Sequence, residues 1–237
     1  MERKLPAYPL FVKDPNFCLW STADILNETD VTSWFGEKKP IYGLVRSSDG
    51  TMWCFLGDID GIGATDVKKA VQTDINVTSF TTDYTFDLDG ATLRVSFVSP
   101  LPPDDVERIS QPVCYMSYTL EGMTDAEVSL FVNRRIAYNY TDQRLPRNDL
   151  CRNYSYNLGS DQVAFVGLKR QLYLSNNEDW FGADWGYWYV CGQTAAAMDG
   201  YDFARYLACG DKNFANATDE KYIAAFNRGD SGFITLA

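Results

Sequence analysis

The chain has 237 residues, 46% of them hydrophobic and 15% aromatic, which is the composition of a folded domain with a sizeable core rather than of a disordered segment. Its formal net charge of −11 repels phosphate backbones and anionic lipid surfaces, setting aside nucleic-acid and membrane partners. It contains no histidine, so neither a Ser-His-Asp nor a Cys-His nucleophile system can be assembled within it, and the commonest zinc ligand and general base are missing.

The N-terminus, MERKLPAYPLFVK, has basic residues but no apolar core segment and no small-residue cleavage site. The chain is therefore cytoplasmic if this end is native, or extracellular or periplasmic if a signal peptide has been removed. No apolar run reaches bilayer length. Cys18, Cys54, Cys114, Cys151, Cys191 and Cys209 form no CxxC pair, so they are expected as buried thiols packing like small hydrophobes, not as metal ligands. Three disulfides would require secretion.

From Leu5 to Gly57 the sequence is dense in aromatics, with Trp20, Trp34 and Trp53 among them. Pro6, Pro9 and Pro15 keep its first part extended, and Pro9–Val12 is expected as a short edge segment. Burial of Trp20 and Trp34 against the remainder of the chain is expected. Ser21–Glu28 reads as a loop or one helical turn. Ile41–Arg46 and Thr51–Leu56 flank Ser48-Asp49-Gly50 and predict a hairpin. The glycines and aspartates of Gly57–Gly63 lack the register of a calcium loop and predict a turn.

Asp74–Leu88 alternates with period two, placing Phe80, Thr82, Tyr84 and Phe86 on one face. Asp87-Leu88-Asp89-Gly90 closes this segment, and Leu93, Val95 and Phe97 alternate on the return. After the break at Ser99–Pro103, Met116, Tyr118 and Leu120 and then Val128, Leu130 and Val132 continue the pattern, predicting a four-stranded meander over Asp74–Val132. Between Asn133 and Tyr156 five arginines interleave with Tyr138, Tyr140, Tyr154 and Tyr156. This mix can bind anions or stack on a ligand, but a surface excursion whose arginines pair with carboxylates is the favoured reading. Gln162–Leu168 and Gln171–Leu174 predict two short strands.

Asn176–Cys191 is a second aromatic knot, in which Trp185, Tyr187 and Tyr189 alternate with Gly186, Trp188 and Val190 as though both faces were covered. Core packing and a ligand platform look alike at this level. Asp199–Cys209 has helical spacing. Tyr222–Phe226 and Phe233–Leu236 predict strands, the last reaching the chain end as in a piece of a longer polypeptide. The fold class that follows is all-β, a large antiparallel β-sandwich with one or two short helices. Residues 1–73 are expected as a wrapped N-terminal segment with a hairpin, part of one unit with a sandwich over 74–237.

Pro6-Ala7-Tyr8-Pro9-Leu10, Pro15-Asn16-Phe17, Leu19-Trp20-Ser21, Trp34-Phe35-Gly36, Pro40 and Gly43-Leu44-Val45-Arg46 together resemble the N-terminal region of the glutaminase A family. Ser99-Pro100-Leu101-Pro102-Pro103-Asp104-Asp105 with Gln111-Pro112-Val113 is similar to that family's central β-region, and Asp184-Trp185-Gly186-Tyr187 to a further block. The chain departs from the pattern at Ser33, where a histidine is expected. The resemblance implies a β-sandwich of the supersandwich kind, which in longer members precedes a helical toroid related to six-hairpin glycosidases. It also implies that the catalytic machinery lies in that toroid, whether its substrate is glutamine or a glycoside.

Three readings of function follow. In the first, the chain is a non-catalytic module of a hydrolase and packs on a C-terminal catalytic domain of the same polypeptide. In the second, it is a carbohydrate-binding or interaction module using Trp180, Trp185 and Trp188, with Asp184 beside them as a further candidate ligand-binding residue. In the third, acidic pairs such as Asp58/Asp60, Asp104/Asp105 and Glu178/Asp179 catalyse hydrolysis, but paired carboxylates on turns are ordinarily solvated. No catalytic residue, metal site or cofactor is expected. Five Asn-x-Ser/Thr sequons, at Asn27, Asn76, Asn139, Asn153 and Asn216, matter only in a eukaryotic secretory setting.

Overall fold

Alternation of apolar and polar side chains governs most of the architecture. The structure, a computed structural model, describes residues 5–137, 151–169, 171, 186–214, 217–219 and 232–236. In chain order the strands are β1 (Tyr8–Asp14), β2 (Phe17–Ser21), β3 (Thr32–Ser33), β4 (Ile41–Arg46), β5 (Met52–Leu56), β6 (Val67–Lys69), β7 (Val71–Val77), β8 (Thr81–Leu88), β9 (Ala91–Val98), β10 (Tyr115–Glu121), β11 (Glu127–Asn133), β12 (Cys151–Leu158), β13 (Asp161–Leu168), β14 (Tyr187–Gly192), β15 (Ala195–Asp199), β16 (Ala217–Asp219) and β17 (Gly232–Leu236). The helices are α1 (Val106–Ser110) and α2 (Gly200–Cys209). This is the expected all-β, antiparallel class; the pairing of β5 with β6 is parallel.

The first large sheet has the order β10-β9-β8-β7. Its inner face carries Tyr84, Phe86 and Leu88 from β8 and Leu93, Val95 and Phe97 from β9, all buried. The two strands join through Asp89 and Gly90, both at positive φ, the geometry of a tight two-residue hairpin whose twist matches the strands. The single long strand expected over Asp74–Leu88 is instead two. Thr78 turns the chain, its Oγ1 accepting from the Phe80 and Thr81 amides. A hydroxyl-capped turn needs neither glycine nor proline, so Phe80 sits in the turn and is exposed.

The meander therefore closes at β10, and Val128, Leu130 and Val132 belong elsewhere. Strand β11 crosses to the second large sheet, β15-β17-β11-β4-β5-β6, where it pairs with β4 from Glu127↔Arg46 to Val132↔Ile41. From Val128 to Asn133 it is buried on both faces, as a central strand must be. One face of this sheet meets the meander through Val45, Trp53, Phe55, Val128 and Leu130. The other carries Tyr42, Leu44, Met52, Phe131 and Met198 and is covered by Phe203 and Tyr206 of α2. Helix α2 starts where Asp199 and Asp202 exchange hydrogen bonds with each other's backbone amides, a reciprocal cap. The short helix α1, capped by Asp105, follows the break at Ser99–Pro103, in a stretch where no element was expected.

The N-terminal segment forms a third sheet, β1-β2-β3, with β1 at its edge as expected. Phe11 packs edge-on against Phe97 of the meander at 5.3 Å. Asn27, fully buried, donates through Nδ2 to the carbonyls of Cys54 at 2.7 Å and Ala70 at 2.9 Å, bridging two chain segments from one side chain. Trp20 is half-buried and donates to Cys18 Sγ. Trp34 reverses the expectation of burial: it is 54% exposed. It sits on a tight turn in which the Ser33 amide donates to Glu37 O at 2.9 Å and the Glu37 amide to Ser33 Oγ at 3.3 Å. The turn fixes the loop but points the indole outward, which aromatic density alone does not reveal.

The five cysteines whose side chains are described are free thiols, Cys18 and Cys54 buried, Cys191 and Cys209 exposed. Burial pushes the Cys54 thiol up to about 12. Since the thiolate is the reactive species, Cys191 and Cys209 are expected to be alkylated in the native protein at pH 8, while Cys54 reacts only after denaturation. Peptide mapping after iodoacetamide treatment reads this directly, and native-state labelling of Cys54 would contradict the packing.

Candidate functional site

The fourth sheet, β14-β13-β12-β16, has two unlike faces. Its inner face supplies Ala164 and Val166 to the main core, with Trp188 and Val190 packed against that core. Its outer face follows from register. Tyr154 pairs with Phe165, and Tyr156 with Val163, across β12 and β13; Phe165 pairs with Tyr189, and Gly167 with Tyr187, across β13 and β14. Because directly opposed residues share a face, four tyrosines surround Phe165 there.

The ring geometry is that of a contiguous platform. Phe165 lies 5.6 Å from Tyr154, 5.4 Å from Tyr187 and 5.5 Å from Tyr189, with Tyr156 at 6.4 Å. Tyr187 also lies over Gly167, so closely that a Cβ there would sit 2.1 Å from its ring. The Arg152 guanidinium stands 5.7 Å from the Tyr154 ring, within cation–π range. The platform is solvent-facing: Tyr156 is 46% and Tyr189 55% exposed. The Tyr189 phenol is raised, first by desolvation and then by the neighbouring Tyr156 and Tyr187, so it stays protonated and able to donate at neutral pH.

Tyr156 also lines a cleft of about 490 Å³ between β12, β11, β15 and α2. Other walls are Asn157, Gln162, Thr194, Glu127 and Lys212. At its base Tyr206 Oη donates to Glu127 Oε1 at 3.1 Å and Ser129 Oγ donates to the same oxygen at 2.9 Å, while Lys212 pairs with the other carboxylate oxygen. Gln162 is oriented by accepting from the Ala195 amide at 3.1 Å. Burial raises the Tyr206 phenol strongly, with Ser129 opposing the shift and Glu127 adding to it. Tyr206 is thus a proton donor holding helix to sheet, not a base. Among the described residues no three His, Cys, Asp or Glu side chains cluster as a metal site, and no helix is long and apolar enough to cross a membrane.

Of the residues singled out in sequence, Trp180, Asp184 and Trp185 lie outside the described residues. Trp188 is half-buried on the inner face, its ring 4.6 Å from Phe17 in an edge-on contact. The two-sided cover read from the alternation of Tyr187 and Tyr189 with Trp188 and Val190 is one-sided: the tyrosines face solvent. The stretch read as a surface excursion between Asn133 and Tyr156 ends in strand β12, and Arg134 is fully buried at its start. Tyr154 and Tyr156 thereby join Tyr187 and Tyr189. Their period-two spacing is the sequence signal for this face, and Phe165 between them is visible only once the strands are paired.

Residues 81–231 match the family model described as Domain of unknown function (DUF5127), and residues 1–66 match a second, Domain of unknown function (DUF4964). The chain is also similar to a protein named Glutaminase A from Aspergillus oryzae (strain ATCC 42149 / RIB 40), 28% identical over 192 residues. That match takes in 78% of this chain and 26% of the relative, so the chain spans about a quarter of the length of the curated protein it matches.

Proposed function

This chain belongs to the DUF5127 family of domains of unknown function, and from that premise we propose that it is a non-catalytic β-sandwich module of a glutaminase A-like hydrolase, packing on and supporting a C-terminal helical-toroid catalytic domain of the same polypeptide. The observation that carries the reading is the coverage: most of this chain aligns with only 26% of Glutaminase A. In this reading residues 1–73 and 74–237 act as one unit, supported by the ladder between β4 and β11 and by the shared core. The exposed Trp34 on its tight turn supplies a rigid anchor of the kind that dominates protein interfaces.

The parent enzyme then hydrolyses either an amide of the glutamine type or a glycoside. Purified 237-residue chain is expected to turn over neither L-glutamine nor aryl glycosides, while the whole polypeptide hydrolyses one of the two classes. Turnover by the isolated chain would overturn the module reading.

A further inference from the structure

We propose that the outer face of β12–β14 is a binding platform for a neutral oligosaccharide. The face and the adjoining cleft carry this inference together. Tyr154, Tyr156, Phe165, Tyr187 and Tyr189 present a nearly continuous aromatic surface on three antiparallel strands. Their rings offer apolar faces for the C–H faces of pyranose rings, and their phenols offer donors and acceptors at the edges. A protein core would not leave this much aromatic surface open on one sheet face, and Leu158 extends it at 59% exposure.

The charge distribution selects a neutral ligand. The chain as a whole carries −11, and among the described residues β12–β14 bring to this face one cation, Arg152, already set against Tyr154, and one anion, Asp161, with Asp219 of β16 paired in register to Arg152 at the edge. The cleft that Tyr156 adjoins is lined by groups suited to sugar hydroxyls: the side-chain amides of Asn157 and Gln162, the Thr194 hydroxyl, and Glu127 neutralised by Lys212. A few oriented polar groups beside an apolar wall are what fix a small ligand in a shallow site. Stacking positions the sugar chain on the tyrosines, and the cleft takes one terminal or branching residue by hydrogen bonding. The platform does not use Trp188, which packs inward against the main core. It shares no residue with the Trp34 turn, so its test does not depend on whether the module docks on a catalytic neighbour.

The test is calorimetric titration of the chain with soluble neutral oligosaccharides of glucose, xylose and mannose, with oligogalacturonate as the charged control. At least one neutral series is expected to bind, and oligogalacturonate not to. Tyr189→Ala and Tyr156→Ala, both at exposed positions that leave the melting temperature near wild type, are each expected to weaken binding about fivefold to tenfold. Tyr189→Phe keeps the stacking surface and recovers most of the affinity. Absence of binding across the neutral series, or wild-type affinity in both alanine variants, would overturn the proposal.

Discussion

Phe86→Ala is expected to cost about 4 kcal/mol of folding free energy, the range for removing a large aromatic from a packed core. Phe86 is fully buried at the centre of β8 and meets Phe55 of the six-stranded sheet at 5.9 Å, so it sits where the two large sheets face each other. Tyr84, two residues away on the same face, stacks beside it at 6.2 Å, and Leu93 opposes it across the hairpin. None of these side chains can collapse into the space without breaking its own contacts, so the cavity term adds to the lost transfer energy. Urea unfolding followed by tryptophan fluorescence measures the loss. A cost below about 1.5 kcal/mol would mean that the sheets do not pack through this residue.

Asn27→Asp is expected to be as damaging at neutral pH, about 4 kcal/mol, although it changes no volume. The Asn27 amide is the donor that joins the Cys54 and Ala70 carbonyls. A carboxylate of the same shape offers no donor and brings a buried negative charge against two carbonyl oxygens. Protonation restores one O–H donor, so the introduced carboxyl has a folded-state pKa raised above its unfolded value near ~3.9. A group shifted upward contributes stability that is present below its unfolded pKa and lost as pH rises through the folded one. The deficit against wild type therefore shrinks on acidification toward pH 4. Paired urea titrations at pH 7 and pH 4 read both the size and the sign, and a deficit independent of pH would contradict the hydrogen-bonding assignment.

These two sites mark how far the fold was legible from sequence. Phe86 belongs to an alternation that anyone can count, and the buried face of β8 and β9 follows from it directly. The Asp89-Gly90 turn is equally plain. The Thr78 turn was not, because a hydroxyl cap leaves no glycine or proline to mark it, and missing that hairpin displaced β11 from its true sheet. The bridging role of Asn27 depends on carbonyls 27 and 43 residues away, which no local pattern encodes. Trp34 and Trp188 show the limit for aromatics: composition requires that many be buried but does not say which.

The candidate site was half legible. The tyrosine pairs 154/156 and 187/189 have strand spacing, and the second pair lies in the aromatic knot singled out for ligand binding. What sequence withholds is the long-range register that sets Phe165 between them. The cleft is less legible still, since Glu127 and Tyr206 meet across 79 residues. Serine, tyrosine and glutamate at that separation have no motif to announce them.

We propose that this β-sandwich is one module of a larger hydrolase. The most direct test of that reading is the intact mass of the natural polypeptide that carries these residues. The expected result is a chain several hundred residues longer, whose added sequence has the paired-helix periodicity of a toroid. A mature protein with the mass of this chain alone, 26.8 kDa, would contradict it.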